Sequence, residues 1–176
     1  YNCDNCIFNH NVIYADLYHG IMLNGSAKNV QITNNTINIY GIGIHLKGDI
    51  DSSTISFNTI ILEQNKFGIE VNNCDECLFD GNTILSPNGG GLESQHSYNV
   101  KIINNIIEAE GDRGIYASFS DSAKIVNNHI ESYSDGIYAY NSDNAQILDN
   151  TITASSIGVS IEYASGSHII DNTITG

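Results

Sequence analysis

Apolar and polar residues alternate with a period of two through most of this chain, as in "NVQITNNTI" and "GIGIHL". Such alternation marks half-buried β-strands, and no segment sustains the three-and-four spacing of an amphipathic helix. The alternating segments themselves recur. An Asn followed two places later by Ile stands at Asn11, Asn35, Asn58, Asn82, Asn105, Asn128, Asn150 and Asn172, at intervals of 22 to 24 residues. A Gly followed by an aliphatic residue keeps step at Gly20, Gly43, Gly68, Gly91, Gly114, Gly136 and Gly158, each 14 or 15 residues ahead of the next such Asn. Two markers in phase along the whole chain identify a repeat protein with one supersecondary unit per period.

Each period reads as three short strands: "GIxL", then "VxI" just before the Asn, then "TI" just after it. One such coil cannot bury its own apolar side. Stacked about 4.8 Å apart, successive coils form three parallel sheets around a filled interior. The pattern predicts one inward column of Ile21, Ile44, Ile69, Leu92, Ile115, Ile137 and Val159, and another of Ile37, Ile60, Ile84, Ile107, Ile130, Ile152 and Ile174. The Asn is expected to turn the corner between the second and third strands in left-handed backbone, its amide hydrogen-bonded to the Asn above and below. A leucine-rich repeat shares the period and has a related core. Against it, the columns here are Ile and Val, "GIxL" adds a strand where that fold needs a helix or 3₁₀ turn, and no Leu spacing fills the return segment.

The phrase "GIMLNGSAKNVQITNNTI" resembles the repeat of the right-handed parallel β-helix superfamily, which includes pectate lyases, polygalacturonases, alginate epimerases and many microbial surface proteins. The resemblance spans essentially the whole chain. It implies an all-β fold: a right-handed, single-stranded parallel β-helix, or solenoid, of seven to eight coils with an asparagine ladder, forming one domain over residues 1–176. The matching positions are the inward columns and the Asn ladder, whereas enzymatic members carry their chemistry on outward positions.

Charge narrows the partners. The chain has 6 Lys plus Arg against 20 Asp plus Glu, a formal net charge of −14, which repels nucleic acid and pectin-like polyanions over most of the surface. No apolar run approaches the ~20 residues that cross a bilayer, so membrane insertion is not expected. Neither end shows an amphipathic helix or polar cap to cover its terminal coil, so the expectation is a piece of a longer solenoid or a subunit that self-associates end to end.

Candidate chemistry lies on the outward side of "GIxL", which reads Met22, His45, Glu70, Glu93, Tyr116, Tyr138 and Ser160 down the stack. The resemblance implies that this sheet floors the sugar groove of the enzymes. Neighbours in the column are about 5 Å apart, so Glu70 and Glu93 form a carboxylate pair flanked by His45. Two close carboxylates push each other's proton affinities apart, giving an acid and a base or nucleophile. A His, a Tyr and a carboxylate equally suit proton abstraction from a uronic acid. Tyr116, Tyr138, Tyr140 and His96, with Phe119 and Tyr163, form a candidate substrate-binding strip. Charged residues and Tyr are also ordinary occupants of a solvent-facing strand. The 8 to 10 residues from each ladder Asn to the next Gly leave no long loop to wall a cleft, and only Lys47 and Arg113 come near enough to hold a uronate. The calcium aspartates and catalytic arginine of the pectate-lyase pattern, and the epimerase Asp-Pro-His motif, have no counterpart. The expected function is an extracellular or cell-surface scaffold or filament with weak polysaccharide binding; the alternative is a carbohydrate-active enzyme, a lyase, epimerase or glycoside hydrolase.

Two further sets complete the reading. Cys3 and Cys6 in "NCDNCIF", and Cys74 and Cys77 in "NCDECLF", align with small inward residues such as Ser97 and Val100. They are expected to be buried free thiols, with a local Cys3–Cys6 or Cys74–Cys77 disulfide as the alternative. The phrases lie three coils apart, about 14 Å, too far for a bridge between them. Asp51, Asp75, Asp121 and Asp143 stack in a turn column, together with Asp4, and make calcium the one candidate cofactor, although Asp also favours turns for its own sake. "NGS" at Asn24 and "NNT" at Asn34 match the N-glycosylation pattern, which matters only in a secreted chain.

Overall fold

Among the described residues the alternating segments fold into 25 short strands, all of them paired in parallel with the matching strand one coil away. The computed structural model describes residues 3–16 and 18–176; Tyr1, Asn2 and Leu17 lie outside the described residues. An approach sheet of eight strands precedes the ladder Asn and a departure sheet of eight follows it. The third, the face sheet, stacks His19–Asn24, Ile42–Lys47, Ile69–Asn72, Leu92–Gln95, Ile115–Ser118, Ile137–Tyr140 and Val159–Glu162. A fourth, unforeseen pairing joins Ala27–Lys28 to Ile50–Asp51. This is a parallel β-helix of about seven turns, and no helix among the described residues is long and apolar enough to cross a membrane.

The predicted columns are in register. Ile69 sits opposite both Ile44 and Leu92 in the face sheet, and Ile60 sits opposite Ile37 and Ile84 in the departure sheet. The approach sheet adds a third inward column through Ile32, Ile55, Phe79, Ile102, Ile125 and Ile147, all fully buried. Packing also explains the Gly marker. A Cβ on Gly20, Gly43, Gly68, Gly91, Gly114, Gly136 or Gly158 would collide with Cγ2 of Ile37, Ile60, Ile84, Ile107, Ile130, Ile152 or Ile174, respectively. The Gly and the Asn-x-Ile of each period are therefore two halves of one contact across the core.

The ladder is complete. Asn35 Nδ2 donates to Asn58 Oδ1 at 2.9 Å, and the same oxygen accepts the Asn35 backbone N–H at 3.0 Å. The pattern repeats from Asn11 to Asn172, and the second amide hydrogen reaches a carbonyl one coil back, as from Asn82 to Ile55 at 2.9 Å. One expectation is corrected. No ladder Asn has positive φ; the left-handed residue is the one before it, namely His10, Asn34, Phe57, Gly81, Asn104, Asn127, Asp149 or Asp171. The ladder side chain has to enter the interior to meet its counterparts, so the chain reverses one residue earlier.

The cysteines need a second correction. Cys3–Cys6 and Cys74–Cys77 are disulfides, with Cα–Cα distances of 5.6 and 5.8 Å, so the free-thiol reading fails and the local-bridge alternative holds. Burial was read correctly for Cys74 and Cys77, which are fully enclosed. The two inward columns meet at a corner, because the third residue of each turn, Asn5 or Glu76, is left-handed at φ 57° and folds one Cys back onto the other.

Candidate functional site

Register builds the outward face as predicted. His45 pairs with Met22 and Glu70, Glu70 with Glu93, Glu93 with Tyr116, Tyr116 with Tyr138, and Tyr138 with Ser160. A second outward column two residues on runs through Lys47, Asn72, Gln95, Ser118, Tyr140 and Glu162. Side chains on one flat sheet contact only their axial and diagonal neighbours, so the face divides into an acid–imidazole half and an aromatic half.

In the first half His45 Nε2 lies 3.5 Å from Glu70 Oε1. The imidazole is largely buried, and that burial lowers its pKa; the Glu70 charge opposes the shift, while His19 and Lys47 reinforce it. His19, which no pattern in the sequence singles out, packs its ring 4.8 Å from that of His45. The Nδ1 atoms of both imidazoles are buried without a hydrogen-bond partner. Glu93 is only 8% exposed. Burial raises its pKa, against a hydrogen bond from Gln95, and Glu70 and Asp112 raise it further while Arg113 lowers it. Glu93 thus holds its proton more tightly than an ordinary carboxyl does, and the His45 imidazole resists protonation.

The aromatic half is organised by Arg113, the chain's only arginine, which the sequence placed near this face as one of two cations within reach of a uronate. Its guanidinium lies 4.5 Å from the Tyr138 ring centre and 4.9 Å from that of Tyr116, and the two tyrosines stack at 5.4 Å. A guanidinium over two ring faces is a cation–π arrangement that fixes all three groups. Asp112 at 3.7 Å and Asp135 at 3.8 Å flank the cation, and Tyr138 donates to Glu162 at 3.0 Å. Tyr140 and His96 fall at the border of this strip: Tyr140 lies 6.3 Å from Tyr138, and His96 stacks on Phe119 instead of joining the face.

The aspartate column has other work. Asp75 accepts the backbone N–H of Tyr98 at 2.6 Å, Asp121 that of Asp143 at 2.8 Å, and Asp143 that of Ser165 at 2.6 Å, while Asp51 pairs with Lys28 at 3.6 Å. Each links one turn to the next. Among the described residues no three His, Cys, Asp or Glu side chains are grouped to hold a metal ion.

A family model described as a right handed beta helix region matches residues 40–176. Among solved structures, the Streptococcus pneumoniae surface protein and adhesin PfbA superposes with a TM-score of 0.55 at 13% identity, covering 97% of this chain and 67% of that one. HetL, a pentapeptide repeat protein from the cyanobacterium Nostoc sp. strain PCC 7120, aligns over 96% of this chain and 89% of its own at 10% identity, with a TM-score of 0.20. No curated protein sequence matches the chain. The likeness to PfbA is one of fold.

Proposed function

Because this chain belongs to the right-handed β-helix family, we propose that it is a cell-surface or extracellular scaffold whose face sheet binds polysaccharide. The observation that carries this reading is the Tyr116–Tyr138 stack held under Arg113, continued along the axis by the polar groups of Glu93, Glu70 and His45. Aromatic faces beside hydrogen-bonding groups are what a sugar chain needs for stacking and hydroxyl contacts. The connections are short throughout, so the strip is open along its length and suits a polymer lying on it more than a small molecule enclosed by it. Two local disulfides support an oxidising compartment, and the fold neighbour described as a surface protein and adhesin supports the surface location. End-to-end stacking into filaments would extend the same role, and sedimentation analysis tests it.

Retention on immobilised polysaccharides is the direct test: wild-type chain should be held, and Tyr116→Ala and Tyr138→Ala should each be released earlier. Equal elution of all three would remove the reading.

A second reading has its own support in Glu93. A buried carboxyl with a raised pKa, beside Glu70 and within one further coil of a neutral imidazole, matches the acid and base of a glycoside hydrolase or lyase. Release of reducing ends or unsaturated uronates by wild type, abolished in Glu93→Gln and Glu70→Gln, would establish it; products undiminished in both variants would exclude these carboxylates.

A further inference from the structure

A second aromatic stripe follows the corner where the face sheet ends. In successive coils the corner residue is Gly25, Gly48, Asn73, His96, Phe119, Asn141 and Tyr163, and all seven have positive φ, between 47° and 57° for the non-glycine members. Gly and Asn are what left-handed backbone favours, and a bulky ring in that position is strained. Three coils nonetheless carry a ring there. Packing does not account for it, since Phe119 is 47% exposed and Tyr163 78%. The rings instead form a continuous ridge: His96 lies parallel on Phe119 at 5.0 Å, and Tyr140 fits edge-on between Phe119 at 5.7 Å and Tyr163 at 5.5 Å. Contact between the rings offsets part of that strain and leaves Phe119 and Tyr163 open to solvent on their outer sides.

A depression runs beside the ridge, lined by His96, Tyr98, Phe119, Asp75 and Asp121. Past Asp75 and His96 it continues along the axis toward Asp51, Asp49 and Lys28. Asp75 and Asp121 each give one carboxylate oxygen, Oδ1, to a backbone N–H of the next coil. The other oxygen of each remains an acceptor for a hydroxyl.

We propose that this corner ridge is a second sugar platform beside the face sheet, and that its ligand is an extended, uncharged polysaccharide lying parallel to the helix axis. The proposal rests on the glycan-binding reading above and names the ligand class and the residues. The exposed outer sides of these rings take the apolar side of a pyranose, and carboxylates alongside accept its hydroxyls. Rings spaced 5.0 to 5.7 Å apart, about one per coil, match the advance of one residue in an equatorially linked glycan. Asp75, Asp121 and a net charge of −14 repel uronates, so the ligand is neutral.

The test is titration calorimetry of the whole chain with cellohexaose, xylohexaose and hexagalacturonate, together with thermal unfolding of the Phe119→Asn/Tyr163→Asn double variant. A neutral hexaose should bind, with hexagalacturonate at least tenfold weaker. The double variant should bind the neutral sugar at least tenfold more weakly while its Tm stays level or rises by about 2 °C or more, because Asn tolerates the left-handed corner. Unchanged binding in the double variant, a lowered Tm, or a preference for hexagalacturonate overturns the ridge proposal while a wild-type chain that still binds sugar preserves the broader reading. A wild-type chain that takes up none of the three hexaoses overturns both.

Discussion

Replacing Asn82 by Ala tests the ladder at its centre. Its side chain joins four hydrogen bonds: Oδ1 accepts from Asn58 N at 3.1 Å and Asn58 Nδ2 at 3.0 Å, and Nδ2 donates to Ile55 O at 2.9 Å and Asn105 Oδ1 at 3.0 Å. Asn82 is fully buried, so water cannot take over these bonds. At about 1 kcal/mol net for each, truncation costs about 4 kcal/mol, and partners left buried and unpaired add to this. Asn172 makes a similar set, accepting from Asn150 N and Nδ2 at 2.9 Å and donating to Ile147 O at 2.8 Å and Ile170 O at 3.0 Å. It is only part-buried, and hydration of the freed groups should limit Asn172→Ala to about 1 kcal/mol. Against a typical total of about 5–15 kcal/mol, the first loss is severe and the second mild. Guanidinium unfolding followed by far-UV circular dichroism reads both from the midpoint shift, and a change in slope for Asn82→Ala would show the stack dividing into two cooperative blocks. Equal shifts for the two variants would refute the reasoning, because burial would then not control the cost of a ladder bond.

Other consequences follow from the same structure. Gly114→Ala drives a methyl into Ile130 Cγ2 and should cost about 1–3 kcal/mol; Ile130→Ala in the same chain should recover part of that loss in a double-mutant cycle by chemical denaturation. Burial raises the Glu93 pKa, so the folded state binds its proton more tightly than the unfolded one, and Glu93's contribution to stability is lost as pH rises from the ordinary Glu value through the raised one. Glu93→Gln should therefore flatten the pH dependence of Tm over that window, and an unchanged profile would contradict the assignment. His45 has the opposite sign: its lowered pKa means stability is lost as pH falls from the ordinary His value toward the lowered one, and Glu70→Gln should move its NMR titration lower still. Cys74→Ser/Cys77→Ser, which opens a short loop, should cost about 2 kcal/mol by loop-closure entropy, measured by denaturant midpoint.

The spacing of Asn and Gly was enough to place nearly every strand and every column, because a parallel coil turns sequence distance directly into axial distance. The period alone pairs Glu70 with Glu93. What the letters did not reveal depends on geometry inside the turn. Alignment of the Cys columns with small inward residues left the local bridge as only the alternative to free thiols, and alternation does not show that the left-handed residue is Gly81 and not Asn82. Arg113 was visible beside the face, but nothing in the sequence showed its guanidinium folding over Tyr138. The strain at Phe119 and Tyr163 was hidden for a related reason: alternation says which way a strand residue points and is silent on corner dihedrals. His19 left no trace at all, since its contact with His45 arises from ring packing across coils.

The clasp between Gly91 and Ile107 closes within a single winding, whereas the Asn amides join each winding to the next. Every winding therefore brings its own Gly–Ile fit, set against the Gly carbonyl of the next winding, and one standard joint on either side. Duplication or loss of about 23 codons would add or remove one unit without disturbing its neighbours, so gene length can drift by whole units under recombination. The corner aromatics are outside this constraint, and selection can rewrite them one winding at a time while the frame persists.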